Sequence, residues 1–214
     1  MISRSVTKMG EPGELTLEQR RDDVGAKLGM WLFLLSEILL FGGMFILYSA
    51  YRFKNPVDFH LASKELDVIL GTANTLILLT SSLTMALSIS AIQKGKRKLS
   101  VYLLIATMIF GLLFLVNKGF EWATKIDHGI YPGSSTLLAS TKSEILFFGL
   151  YYVMTGLHGL HVLVGVGILS GMLILIAKEK ISQTHFTALE NSGLYWHLVD
   201  IIWIFLYPLF YLIT

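Results

Sequence analysis

A chain of 214 residues with 54% hydrophobic and 15% charged residues and a mean hydropathy of +0.64 is far more apolar than a soluble domain, in which about a quarter of residues carry charge. The formal net charge of +2 is too small to attract nucleic acid, and the absence of cysteine excludes disulfides, thiolate-bridged copper, cysteine-ligated iron–sulfur clusters and CxxCH haem attachment. What remains is an integral membrane protein of the all-α class, with room for one bundle of about five spans and no separate soluble domain.

Residues 1–25 read as a polar cytoplasmic tail that can end in a short surface helix, with Gly10, Pro12 and Gly13 followed by the mixed charges of LEQRRDD. This polar lead, and the length of the apolar run behind it, argue against a cleavable signal peptide. Residues 26–214 form the membrane domain. Its first span, 26–51, contains LGMWLFLLSEILLFGGMFILY, in which Glu37 is the only formally charged residue. A carboxylate at that depth costs roughly 2.5–3.5 kcal/mol on insertion scales. Glu37 therefore needs a protein partner, or a path for water, protons or lipid headgroups.

The second span, 68–92, carries Asn74, Thr75, Thr80, Ser81, Ser82 and Thr84, small polar residues that let membrane helices approach and bond. The basic loop QKGKRK precedes a third span, 99–121, which is closed by NKGFEW and then by the turn formers Gly129, Pro132 and Gly133. A fourth span, 143–177, is longer than the bilayer requires and should tilt or project. The loop KEKISQTHF leads to the fifth span, 190–214. No internal repeat is visible, which weighs against inverted-repeat transporters. Of the 17 Lys and Arg, eleven fall in segments 1–27, 94–98 and 178–180 and six in the others, which predicts an N-terminus inside and a C-terminus outside. Glu144 and Glu190 open the last two spans and read as helix-dipole partners.

Few other ionisable groups lie within the spans. His158 and His161 are three residues apart in TGLHGLHVLVG, on one helical face and flanked by glycines that admit a neighbouring helix or a lipid chain. His197 and Asp200 are likewise three apart in YWHLVDIIW. Counted from the inner ends, Glu37, His197 and Asp200 lie about two to three turns deep and are expected to share a layer, with His158 and His161 within reach if the fourth helix tilts. Glu121 belongs to the outer end. The histidines raise metal or haem ligation, but neither Glu37 nor Glu121 has a histidine three residues on, and no pair of histidines stands at matched depth on facing helices. An interhelical hydrogen-bond network suits these groups, and a lipid-phosphate or proton-conducting role can overlay it.

Five segments together resemble subunit III of the haem-copper terminal oxidases: WLFLLSEILLFGGMF, NTLILLTSSLTM, KGFEW, TGLHGLHVLVG and YWHLVDIIWIFLY. They occur in the family's order and touch every span. The resemblance implies a non-redox subunit of a proton-pumping oxygen reductase in aerobic respiration, in a bacterial plasma membrane. Such a subunit has no catalytic residue, metal or cofactor of its own, and haem and copper reside in partner subunits. Subunit I, subunit II, a small subunit IV and membrane lipid are the implied partners. Glu37, His158, His161, His197 and Asp200 fall on family positions associated with internal polar contacts, bound phospholipid and support of the neighbour's proton uptake. Seven-helix members have two further N-terminal helices that form a lipid-holding cleft with the remaining five; here a hydrophilic tail stands in their place, as in quinol oxidases and some bacterial cytochrome c oxidases. Other readings are a sister subunit of a nitric oxide reductase system, a stand-alone five-helix transporter or proton channel, and a dihaem quinol oxidoreductase.

Overall fold

The computed structural model describes residues 17–212, with side chains from residue 21 onward, and these residues form helices without a strand. Seven helices follow one another: α1 Leu17–Lys54, α2 Pro56–Ser63, α3 Val68–Gln93, α4 Arg97–Asp127, α5 Ser135–Leu138, α6 Lys142–Ala177 and α7 Thr187–Tyr211. Five of them, α1, α3, α4, α6 and α7, are long and apolar enough to cross a membrane. Local chemistry sets their ends. Asp67 caps α3 by accepting from Ile69 N at 2.9 Å and Leu70 N at 3.1 Å. Thr141 caps α6 by accepting from Glu144 N at 3.2 Å, so Glu144 sits in a first turn where the dipole favours it. Gly95 and Gly129, at φ +71° and +73°, take the left-handed turn that stops α3 and α4.

Two boundaries differ from the sequence expectation. Residues 17–25 were expected as tail, yet they continue α1 without a break: LEQRRDD lacks a helix breaker, and extending an existing helix is far easier than nucleating one. At about 1.5 Å per residue α1 is about 57 Å long, well beyond a hydrocarbon core of about 30 Å. Likewise α4 runs to Asp127 rather than stopping near 121, because the first breaker is Gly129. Residues 1–16 of the expected tail and the last two residues of the fifth span lie outside the described residues. The short helices α2 and α5 were not anticipated; Pro56 starts α2 and Ser134 caps α5.

The bundle core is formed by α3, α4, α6 and α7, with α3 and α4 the most extensively packed pair and α7 laid across α3 and α6. Only 11% of the apolar stretch of α1 is buried, against 56% of that of α7. α1 is thus the peripheral span and α7 the central one. Trp196 of α7 shows why. Its indole Nε1 donates to Ser81 Oγ on α3 at 3.0 Å. Its ring lies so close to Gly111 of α4 and Gly165 of α6 that a Cβ at either would approach ring carbons to 2.7 and 2.8 Å. One side chain therefore locks four helices through a slot that only glycine leaves open. At the other end Tyr48, Phe59, Phe147, Tyr151 and Phe210 form an edge-to-face aromatic cluster with centroids 4.9–5.7 Å apart, which seats α2 over the bundle.

Substituting Gly165 by Val should force the Trp196 ring out of its slot and destabilise the bundle by about 1–3 kcal/mol, the usual range for overpacking. Gly167→Val, where no atom lies within 4 Å of a new Cβ, is the matched control. Thermal unfolding in detergent should show a lowered midpoint for the first and an unchanged one for the second.

Candidate functional site

Glu37 lies midway along α1 and bonds to α6. Its Oε2 lies 3.0 Å from His161 Nε2. The other imidazole nitrogen, Nδ1, is 2.8 Å from the Leu157 carbonyl one turn back on α6. A carbonyl only accepts, so Nδ1 carries a hydrogen and donates it. The contact between Nε2 and the carboxyl then bonds only with one proton shared between them, resident on Glu37 or on His161. Tyr195 OH fixes the same turn by donating to the His161 carbonyl at 3.0 Å, and Phe41 packs its ring against the imidazole at 5.3 Å.

This pair is partly open, with the side chains 16% and 14% exposed. The opening is a cleft of about 360 Å³ between α1, α6 and α7, walled by Met30, Phe33, Leu160, Val164 and Ile168 and bounded at one end by Asn191 and Ser192. It is an apolar slot with one proton-bearing pair in its wall.

Glu37, His197 and Asp200, expected to share a layer, do not bond one another. His197 bonds Ser82 Oγ of α3 at 2.7 Å and lines a separate cleft with Lys27, Trp31 and Glu190. Asp200 is buried beside the same Ser82. Helical rise had placed these groups at one depth, but depth says nothing about which way around the helix each side chain faces. His158 and His161, expected on one face, also part company. His158 is fully buried between the Phe114 ring at 5.4 Å and the Trp203 ring at 5.2 Å. His161 turns outward to Glu37. Glu190, expected only as a dipole partner, also pairs with Lys27 at 2.9 Å. Among the described residues no three His, Asp or Glu side chains converge to hold a metal ion.

Glu121 does lie apart from these groups, but it is sealed in rather than set at an open rim. Lys118 and Glu121, both 5% exposed, pair at 3.0 Å. Lys118 Nζ also donates to Tyr151 OH at 3.0 Å and to Tyr211 OH. Both tyrosines pass their own hydrogens to Glu121 Oε1, at 2.7 and 2.6 Å. The ammonium further stands 4.8–5.2 Å from the rings of Tyr151, Tyr211 and Trp203. Sequence reasoning missed Lys118, Tyr151 and Tyr211. The Lys-x-x-Glu spacing of KGFEW carried the signal for the ion pair, whereas nothing local marked the tyrosines.

Residues 14–214 match the protein family described as cytochrome c oxidase subunit III. The chain is 33% identical over 196 residues to a cytochrome c oxidase subunit 3 of Thermostichus vulcanus, covering 87% of each chain. It is 29% identical over 187 residues to a probable quinol oxidase subunit 3 of Staphylococcus haemolyticus, covering 87% of this chain and 88% of that one. A heme-copper oxidase subunit I+III of Aeropyrum pernix is 29% identical over 191 residues, which is 86% of this chain and 22% of the longer one.

The sealed cluster makes a stability prediction. Lys118→Met leaves the Glu121 carboxylate buried without its cation and should cost about 3–5 kcal/mol, the range for breaking a buried pair from one side. Lys118→Met combined with Glu121→Leu should recover most of that loss. Thermal unfolding of the two variants in the same detergent tests the ordering.

Proposed function

The chain belongs to the cytochrome c oxidase subunit III family, and we propose that within its oxidase it steadies the catalytic subunit and helps keep that subunit supplied with protons. It is a multi-pass protein of the plasma membrane and a non-catalytic subunit of a haem-copper oxidase in respiration. Proton supply is the finer part of the reading, and the Glu37–His161 pair carries it. With Nδ1 committed to Leu157, the pair must hold one proton in order to bond at all. A proton kept between two groups of comparable function can pass from one to the other without a large rearrangement. The cleft gives that proton a lateral opening within the membrane thickness.

In this reading subunit I packs against α1, whose flank bears exposed Trp31, Leu32, Leu35, Ile38 and Leu39. A surface of that size and greasiness suits a large apolar partner. The Aeropyrum pernix relative, named as subunits I and III in one chain, supports the pairing. Subunit II and a small subunit IV complete the assembly, which translocates protons and meets its donor, quinol or cytochrome c, on other subunits. The cleft beside Glu37 takes phospholipid, and the N-terminal end of α1 faces the inside.

Glu37→Gln tests the reading, because the amide can still donate to His161 Nε2 but cannot release a proton. The variant oxidase should assemble with its usual haem content, turn over several-fold more slowly at saturating oxygen and donor, and lose activity sooner during sustained turnover. Turnover and durability equal to the parent would remove the proton role. The chains that copurify in mild detergent, and whether the assembly reduces oxygen or nitric oxide, test the partnership separately.

A further inference from the structure

The structure joins the basic loop QKGKRK to a second basic segment, the α6–α7 loop. Arg97 Nη1 pairs with Glu179 Oε1 at 2.5 Å, and Arg97 Nη2 donates to the Ala177 carbonyl at 2.7 Å. Gln183 Nε2 donates to the Gln93 carbonyl at 3.4 Å. The loops are so close that a Cβ at residue 95 would stand 2.5 Å from Gln183 Nε2. The α3–α4 turn and the α6–α7 loop therefore form one continuous plate.

That plate is strongly and one-sidedly charged. Lys94, Lys96, Lys98, Lys178 and Lys180 are exposed, and none of the five forms an ion pair among the described residues. Its own acid, Glu179, is paired with Arg97, and Glu190 at its edge, in reach of Gln93, is paired with Lys27. The first turn of α4 contains no acidic residue. Directly inward of the lysines, α4 exposes Leu99 at 47%, Tyr102 at 70% and Ile109 at 58%, and α6 exposes Ile174 at 54%. Cations above a tyrosine above aliphatic side chains follow the order of headgroup, interface and acyl chain in a leaflet. A soluble anion would need the lysines alone. The apolar flank beneath them selects a ligand that has a tail.

We propose that this plate binds the phosphate headgroups of anionic phospholipids in the adjoining leaflet, with Lys96, Lys98 and Lys178 as principal contacts. The site is separate from the Glu37 cleft, and neither depends on the other. The assembled oxidase, stripped of lipid by detergent washing, is titrated with phosphatidylglycerol or phosphatidylcholine, and retained lipids are counted by native mass spectrometry. The parent should retain phosphatidylglycerol in preference to phosphatidylcholine, and added salt should weaken that preference. Lys96→Gln/Lys98→Gln/Lys178→Gln should weaken phosphatidylglycerol binding by at least about tenfold, since each lysine near an anionic surface contributes about fivefold. The corresponding triple arginine variant should keep it, and Lys54→Gln/Lys64→Gln/Lys142→Gln, in the other connecting segments, should leave it unchanged.

Equal retention of both lipids by the parent would overturn the proposal without reference to any variant. So would unchanged phosphatidylglycerol binding in the glutamine variant, or an equal loss in the opposite-face control. Displacement of the lipid by equimolar inorganic phosphate would reassign the plate to a soluble anion.

Discussion

Hydrocarbon offers no hydrogen-bond partner, so polar side chains placed within these spans favour partners elsewhere in the protein, although the ring nitrogens of His158 bond none. Much of the architecture follows from where those partners lie. Ser88 meets Ser100 at 2.9 Å, Thr84 meets Thr107 at 2.8 Å and Asn117 donates to Asn74 at 3.0 Å, which stitches α3 to α4 along its length. Trp196 and Trp203 of α7 donate to Ser81 and Thr75 of α3 at 3.0 Å. α6 is held through Tyr151 to the ion pair of α4. Four helices thus share a dense set of polar cross-links around an aromatic core. α1 does not. Among the described residues its polar ties to the bundle lie at three levels: Lys27 to Glu190 and Ala26 to Asn191 at one end, Glu37 to His161 in the middle, and Tyr48 to the Leu209 carbonyl at the other. The same sparseness that leaves α1 loosely packed also leaves the cleft at Glu37 open.

The spans themselves were legible because length and hydropathy are properties of contiguous sequence. The expected second, fourth and fifth spans begin within three residues of the helices observed. The errors fell where no apolar transition marked a boundary, at the polar start of α1 and the mixed end of α4. Glu37 was legible as a residue in need of a partner, and His161 stood among its candidates. Which candidate it would reach was not legible, since rotation about a helix axis depends on how α1 leans against its neighbours. His158 and His161 illustrate the limit: a spacing of three puts them on one broad face, and a difference of about 60° around the axis is enough to send one into the core and the other into the cleft. The family resemblance supplied the role of the chain but likewise left the pairings unresolved.

Lys118 and Glu121 teach a related lesson about burial. Read along the chain they sit in a polar group near a helix end, where charge ordinarily marks the water boundary. In the structure they are as buried as the leucines, because Tyr151, from thirty residues further on, and Tyr211, from ninety, close over them. The rim at this end is instead displaced outward, to Lys125 donating to the Glu65 carbonyl at 2.7 Å. Charge near a span end therefore distinguishes poorly between a surface and a lid.

The position of Tyr211 also imposes an order of events during synthesis. α4 precedes α7 in the chain, so Lys118 and Glu121 stand one turn apart before Tyr151 of α6 follows and Tyr211 of α7 completes the set. Until then the ammonium lacks one of its acceptors and the carboxylate one of its donors. Completion of the cluster coincides with closure of the bundle by its most buried helix. Helix α7 thereby acts as a latch on the Lys118–Glu121 pair.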